Sequence, residues 1–455
     1  MLHVGWAARR ITPDRPAMVQ GQKGRRIGRE ELDPLLVTAL ALEGGDPKDC
    51  AIVVSCDLAY IPDGLWSAVR ERLAESAPDV PGEKVLLNAT HTHTSFTMEE
   101  GFYEPPDDPE VMTPKECETW VAERVAQAAA EAWQARVPRR IGRAFGHAVV
   151  GHNRYAVYAD GRAQMYGKTN REDFTAIGGY QDHSLDMLFT WEPGGELAGV
   201  ALGVPCPSQV TEGLEVWSAD YWHEVRVELR QRFGNALQVL PICSPAGDQS
   251  PHFLLYAEQE AEMRRRRGLS EREEIARRIG DAVERALACT HPDADDTTPF
   301  AHLVRRVELT PYQISQAERD WAEEEYARCV ERGDTESWWP KGLEGVIECA
   351  DGKREQEPFE MELHVLRLGD VVVATSPFEL FLDYGLRIKA RSTAPQTVLV
   401  QLVGRGWYLP TAWATRRAEL DEGSPFGVAL GSPVVEAVAV NVAVGATVGV
   451  GGGSL

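Results

Sequence analysis

Short apolar runs, each followed by polar or glycine- and proline-rich sequence, punctuate this chain. They are too short for buried helices and carry many β-branched residues, so they predict strands over Cys50–Cys56, Lys84–Asn88, Asp186–Trp191, Ala198–Val204, Ala236–Cys243, Glu360–Leu366, Val371–Ser376 and Thr397–Val403. Between some of them the apolar spacing changes to the helical period. Pro114–Val137 is rich in Ala and Glu, with Trp120, Val121, Val125 and Ala128 on one face. Ser270 with Glu273 and Ser315 with Glu318 have the spacing of capping boxes, and each opens a helix. A further helix is expected over Leu380–Ala390, entered at Glu379. The mixture is not a strict strand–helix alternation. It predicts an α+β protein of mixed sheets with flanking helices.

No linker or internal repeat divides the chain, so residues 1–455 read as one domain. Residues 300–358, polar and tryptophan-containing, are expected to be an insertion that forms a lid or an oligomer contact. A low-complexity Val/Gly-rich tail occupies about 430–455 and reads as frayed, with no function assigned.

Composition narrows the partners. With 43% hydrophobic and 26% charged residues, the chain has the make-up of a soluble protein with a substantial core. Its net charge of -23 opposes phosphate backbones, so no nucleic-acid partner is expected. No apolar run is long enough to span a membrane and no leader pattern opens the sequence, so a cytoplasmic location is expected, and a homo-oligomer is compatible with these features. The eight cysteines lack CxxC spacing, which suggests neither a disulfide framework nor a zinc ribbon. There is no GxSxG elbow and no P-loop. The zincin helix is absent because Val227 stands four residues after His223.

The candidate chemistry sits just after the strands. Asn88–Ser95 (NATHTHTS) directly succeeds an apolar run, and on a continued strand His91 and His93 would share one face of a cleft. Taken alone, such a pair is more often a buried strand end satisfied by carbonyls. Other strand ends add company. Val204–Gln209 (VPCPSQ) offers Cys206 between two prolines, Ser244–Pro251 (SPAGDQSP) presents Asp248 and Ser250, Ser376–Leu380 (SPFEL) places Glu379, and Gly404–Tyr408 (GRGWY) adds Trp407 and Tyr408. Polar groups gathered at strand ends are what a cleft along a sheet edge requires.

These segments, in this order, resemble the catalytic domain of neutral/alkaline non-lysosomal ceramidases. The match runs through Val4–Pro13 (VGWAARRITP), Asn88–Ser95, the pair Asn153 and Arg154, Gly247–Pro251 (GDQSP), Pro377–Glu379 (PFE) and Trp407–Thr411 (WYLPT), and covers most of residues 1–415. The resemblance implies one Zn2+ held by His91, Glu379 and Tyr408, with Cys206 standing where the family has a histidine. Zinc accepts thiolate as it accepts imidazole; the other reading of Cys206 is an inert buried thiol. Further departures are Leu420 near the position of a second active-site tyrosine, and the expected absence of the family's Ig-like C-terminal domain and secretion signal.

The resulting expectation is a zinc-dependent hydrolase for a small-molecule amide other than long-chain ceramide. In it His93 would transfer protons, Arg154 would bind a substrate oxygen or oxyanion, Ser250 oriented by Asp248 would hydrogen-bond substrate, and Asn153 and Trp407 would contact it. Two alternatives remain open: a zinc enzyme for a carbohydrate-like substrate, suggested by twelve tryptophans including Trp407 and Trp413, and a non-catalytic binding protein or pseudoenzyme.

Overall fold

Three sheets carry the molecule, and each ends in a parallel pair of strands. The computed structural model describes residues 2–46, 48–290, 299–311, 313–334, 337–356, 358–411 and 413–414; Leu420 and the Val/Gly-rich tail lie outside these. Among the described residues there are eight α-helices, named α1 (Asp63–Ser76), α2 (Pro114–Gln134), α3 (Tyr221–Phe233), α4 (Ala257–Arg267), α5 (Glu271–Leu287), α6 (Gln316–Arg332), α7 (Trp339–Ala350) and α8 (Leu382–Arg391). Together with the mixed sheets they make the expected α+β fold. No helix among the described residues is long and apolar enough to cross a membrane.

The first sheet runs in the order Val85–Ala89, Cys50–Cys56, Leu36–Glu43, His3–Arg10, Val137–Pro138. Its first two strands are parallel, joined by the α1 crossover, and the rest are antiparallel. The second sheet repeats the device: Gln238–Cys243 lies parallel to Leu197–Val204 across α3, followed by Ser184–Trp191 and Arg140–His147. In the third, Phe300–Leu309, Phe359–Leu368 and Val371–Thr375 form a meander, and Gln396–Val400 returns parallel to the last of these across α8.

This arrangement explains why the strands read as unbroken apolar runs. Each sheet covers one face with its own helices and turns the other toward a common core, so strands such as Cys50–Cys56, Val85–Ala89 and Gln396–Val400 are dry on both sides. In Cys50–Cys56, Ile52 and Val54 face α1 and α2, while Ala51 and Val53 join Leu86, Leu188, Leu240, Ile242, Leu366, Val398 and Val400 in a core shared by all three sheets. Helices α3 and α5 cover the second sheet, and α8 covers the third. The capping boxes at Ser270 and Ser315 are formed as the sequence predicts, and a third at Thr113 and Glu116 opens α2.

Residues 300–358 divide into two parts. Phe300–Leu309 is a full strand of the third sheet, paired residue by residue with Phe359–Leu368. The alternation of that strand (FAHLVRRVEL) belongs to a half-buried position, which the polar character of the segment conceals. The excursion proper lies between the two strands and builds a helical hairpin of α6 and α7 around Ala322, Cys329, Trp339, Leu343 and Val346.

One buried ion pair ties the first sheet to the second. Asp57, at the end of Cys50–Cys56, accepts from both terminal nitrogens of Arg226 on α3 at 2.8 and 3.0 Å, and from the Leu36 backbone N–H at 2.8 Å. Both side chains are at most 3% exposed. Removing one partner strands the other in the core, a loss of about 3–5 kcal/mol. Arg226→Ala is therefore expected to lower the stability measured by urea unfolding by that amount, and a change under about 1 kcal/mol would contradict the role given to this pair.

Candidate active site

The C-terminal ends of the three parallel pairs open onto one cavity of about 230 Å³. After Ala89 the chain leaves the strand instead of continuing it, and His91 takes a left-handed conformation with φ 63°. That correction matters, because His91 and His93 meet through a turn and not through strand alternation. The turn is held from several sides. Thr90 and Thr92 donate backbone N–H groups to the Cys56 and Leu58 carbonyls, Thr92 Oγ1 donates to the Ser218 carbonyl, and Ser95 Oγ accepts from the Ala59 N–H. Such support is what a strained non-glycine residue needs.

His91 Nδ1 donates to the Ala59 carbonyl at 2.6 Å. This fixes the tautomer, so in the neutral ring Nε2 carries a lone pair. That nitrogen lies 3.2 Å from Glu379 Oε2 and 3.4 Å from His93 Nε2. A lone pair aimed at a carboxylate oxygen is repulsive unless a proton or a cation stands between them. Burial, the largest influence on His91, disfavours its charge, yet Glu379 and the Ala59 carbonyl outweigh it and raise the pKa above its ordinary 6.5. For Glu379, burial raises the pKa, but His91, Arg154 and Tyr408 together carry it below 4.5. His93 is the opposite case. Burial first, then the charges of His91 and Arg26, hold it well below 6.5, a neutral ring at working pH.

Glu379 sits in a two-residue strand (Glu379–Leu380) parallel to Tyr408–Leu409, with Glu379 opposite Tyr408. The helix expected to start at Leu380 begins at Leu382. Arg154 comes directly after the bridge of Asn153 to Gln249, donates Nη2 to the Gly247 carbonyl at 2.8 Å, and lies 5.3 Å from the Tyr408 ring and 5.8 Å from that of Tyr166. Close to His93, a glycine is required at position 21. Its φ is 113°, and a Cβ there would come within 2.4 Å of the imidazole.

His91, His93, Arg154, Glu379, Trp407 and Tyr408 all line this cavity, so six of the ten residues expected at the site are brought together. Four are not. Cys206 packs beside Val204, Tyr221 and Trp222 in the core under α3, where burial above all lifts its thiol pKa well above 9.0. It does not line the cavity with His91 and Glu379. Asp248 does not orient Ser250. Its two oxygens accept from the Leu382 backbone N–H at 2.8 Å and the Asn153 side-chain amide at 3.0 Å, which fixes the start of α8 and the Asn153 loop. Ser250 Oγ accepts from the Tyr166 hydroxyl at 3.2 Å and the His252 N–H at 3.1 Å, behind the cavity wall. Asn153 likewise serves the loops, its Oδ1 accepting from the Tyr155 N–H.

The cavity also holds residues that no sequence motif singles out. The Gln209 amide lies 2.9 Å from His93 Nε2. Glu212 approaches His93 Nδ1 at 3.7 Å and pairs with His252 at 3.0 Å. Tyr60 bonds to Glu99, which Arg405 approaches at 3.2 Å. Gln209 ends the VPCPSQ segment and His252 comes one residue after GDQSP, so each stands beside a motif that draws attention to a neighbour.

The donor set suits a borderline cation in part. Ligand atoms about 2.1 Å from a tetrahedral ion lie ~3.4 Å from one another, close to the spacings of His91 Nε2 with Glu379 Oε2 and with His93 Nε2. Among the described residues, no group of three or more His, Cys, Asp or Glu forms a ready metal centre. His91 and Glu379 are the pair that fits.

An α+β scaffold of three sheets with a histidine–glutamate cavity at their strand ends is the class that fold and site define. The particular fold is that of neutral ceramidase. The solved structure of neutral ceramidase from Pseudomonas aeruginosa matches with a TM-score of 0.70 over 97% of this chain and 73% of that one, at 16% identity. A ceramidase complexed with C2 matches with a TM-score of 0.66 over 97% and 74%, at 14% identity. At these identities the likeness is one of fold. No protein-family model matches the chain, and no curated protein does.

The opposed shifts of the two histidines are measurable in metal-free protein. His91, raised above 6.5, contributes stability that is complete below that value and lost as pH rises through the raised one. Glu379, lowered below 4.5, contributes stability present above 4.5 and lost as pH falls through the lowered value. In an imidazole NMR titration His91 should therefore hold its proton above pH 6.5 while His93 stays neutral well below it, and Glu379→Gln should bring His91 down. Two histidines titrating together near 6.5 would contradict this account.

Proposed function

We propose that this chain is a zinc-dependent hydrolase that cleaves an amide bond in a compact, polar substrate. The observation that carries the reading is the confrontation of His91 Nε2 with Glu379 Oε2 at 3.2 Å, inside the fold shared with neutral ceramidase. These two residues would hold the ion, and Tyr408, which bonds to Glu379, is in reach to complete its surroundings. When bound, zinc supplies Lewis acidity and makes its water more acidic.

The rest of the chemistry belongs to the chain. His93, neutral because it is buried, accepts a proton at Nε2 when water attacks the amide carbon and returns it to the leaving nitrogen. An oxygen–carbon bond forms, the carbon–nitrogen bond breaks, and a carboxylate and an amine result. Arg154 offers a buried guanidinium to the oxygen that gains charge during the attack. Gln209 and Glu212 hold the His93 ring from two sides.

A second reading, a binding protein without catalysis, draws on Cys206. The thiol where the ceramidases keep a histidine ligand is turned into the core. Metal analysis separates the two readings.

The purified protein is expected to bind about one zinc per chain. His91→Ala should lose metal and activity together, because the site is assembled from separated segments. His93→Ala should retain the metal while the rate falls by about 10²–10⁴. Equal metal loss in both variants would make His93 a ligand, and a wild-type protein that neither holds zinc nor hydrolyses amides would leave the binding-protein reading standing.

Long-chain ceramide should be a poor substrate. Among the described residues, the cavity of about 230 Å³ is lined mainly by charged, amide and aromatic side chains, with Ala59 and Met165, which is small for two long chains. The check is release of fatty acid from a long-chain ceramide in detergent, where rapid turnover would overturn the assignment of a compact polar substrate.

A further inference from the structure

The helical hairpin of α6 and α7 is not needed to close the third sheet. Leu309 and Phe359, the residues on either side of the excursion, are already paired with each other. The hairpin has its own small core. It meets the body of the protein at the rim of the active-site cavity. There Lys341 bonds to Glu104, the Lys23 ammonium lies 4.0 Å over the Trp339 ring, and Trp338 packs on Phe102 and Trp407. Trp338 and Trp339 line the cavity with the proposed catalytic groups. An excursion of this length, delivered to this place, supplies a wall.

The wall is aromatic, with Trp338 tilted by 42° and 39° to the planes of Phe102 and Trp407. Phe102 and Trp407 are nearly parallel, with ring centroids 6.4 Å apart and planes 7° from one another. Trp338 leans on both, at 5.6 and 5.8 Å. Trp407 is joined directly to Tyr408, and its carbonyl accepts from the Glu379 N–H at 3.1 Å, so the wall adjoins the reacting end of the cavity. Around it stand polar groups of both signs: Glu99 with its partners Tyr60 and Arg405, together with Lys23 and Gln22.

A ligand matching this surface has an apolar ring face and a hydrogen-bonding edge. A pyranose has both. Its C–H face meets the negative face of the aromatic rings, and its hydroxyls serve carboxylate and cationic partners alike. An aryl group would satisfy the wall but would take water from Glu99, Arg405 and Lys23 without replacing it, at a loss in affinity. The cavity, at about 230 Å³, falls below the ~300–1,000 Å³ of sites for drug-sized ligands, which suits one ring and a short acyl group.

We infer that Trp338, with Phe102 and Trp407, forms a sugar-ring subsite, and that the substrate class is an N-acylated amino sugar carrying its amide to the His91 and Glu379 end. The assignment rests on the amide-hydrolase reading for the reaction but not for the binding. In the reaction, water oxygen bonds to the acyl carbon, the bond to the sugar nitrogen breaks, and that nitrogen takes the proton.

The test uses the full chain supplied with zinc and two probes, N-acetylglucosamine and the acyclic N-acetylethanolamine. Binding is read by quenching of tryptophan fluorescence and hydrolysis by release of primary amine. N-acetylglucosamine is expected to quench saturably, to bind at least about tenfold more weakly to Trp338→Ala, and to keep its affinity in Trp338→Phe, which preserves a flat ring and controls for loss of folding. Hydrolysis of the sugar amide should exceed that of the acyclic amide by at least about tenfold in kcat/KM, with the preference lost in Trp338→Ala. Saturable binding without release of amine from either probe would support the subsite and overturn the amide-hydrolase reading. Equal hydrolysis of both probes, unaffected by Trp338→Ala, would support that reading and overturn the subsite. Absence of saturable quenching, or an affinity unchanged in a folded Trp338→Ala variant, also overturns it.

Discussion

The structure depends on one core being shared by three sheets. Each sheet contributes a parallel edge pair, and the residues that face inward from those pairs, Val53 and Leu86, Ala201 and Leu240, Val398 and Val400, are all in the same cluster. Parallel pairs must be joined by crossovers, so helices α1, α3 and α8 are pushed to the outer faces. The strand ends are left to meet. Crosslinks between the sheets fix them there: Asn88 Nδ2 donates to the Pro241 carbonyl at 3.4 Å, the Gln401 N–H donates to the Cys243 carbonyl at 3.1 Å, and the Gln401 side-chain oxygen accepts from both the Leu380 and Ala246 N–H groups. Loops leaving C-terminal strand ends at such a junction are the usual place for a ligand in parallel sheets. Here three junctions fall together, which is why residues as far apart as His91, Arg154, Glu379 and Tyr408 surround one volume.

Within that volume the decisive bond is short and local. The Ala59 carbonyl takes the Nδ1 proton of His91 and so settles what Nε2 can be. Opposite a buried carboxylate, an imidazole in that tautomer needs a positive charge between the two, either a shared proton or a metal ion. His93, two residues on, has no such carbonyl at Nδ1 and meets an amide at Nε2, and it stays neutral. The two histidines of one motif are thus shifted in opposite directions, His91 upward by Glu379 and the Ala59 carbonyl against its burial, His93 downward by burial and the charges of His91 and Arg26. The left-handed backbone at His91 is part of the same design, since it turns the ring toward Ala59 and away from the strand line.

Much of the scaffold is legible in the sequence, because strands buried on both faces write themselves as apolar runs. The apolar run Cys50–Cys56 coincides with its strand to the residue, and the seven other expected strands lie within a few residues of the observed ends. The capping boxes at Ser270 and Ser315 are legible for a different reason, since the hydroxyl and carboxylate that satisfy a helix start lie three residues apart in the chain. His3–Arg10, Arg140–His147 and Phe300–Leu309 escape because arginines and exposed positions break their apolar pattern. The site is legible as far as each residue stands next to a strand end. Cys206 misleads on that account: it comes just after a strand, but its neighbours Tyr221 and Trp222 on α3 claim the side chain, and nothing local records this. Trp338 is invisible for the converse reason, since it reaches the cavity from a hairpin far along the chain.

The separation of scaffold and hairpin bears on how such a site acquires a substrate. The three strand junctions must be kept if the core is to close, so the cavity residues that follow them are constrained by packing. The excursion between Leu309 and Phe359 carries no such burden, because the strands it leaves are paired across its base. Loop closure penalises length only slowly, so helices can be lengthened or replaced there at little cost to the fold. Residues placed by the hairpin answer to its own small core and to the rim it meets, not to closure of the sheet. In this chain it places two adjacent tryptophans at the cavity, beside a tryptophan and a phenylalanine from the body. The fold shared with neutral ceramidase fixes where the strand-end residues meet, and the hairpin sets which aromatic side chains stand beside them.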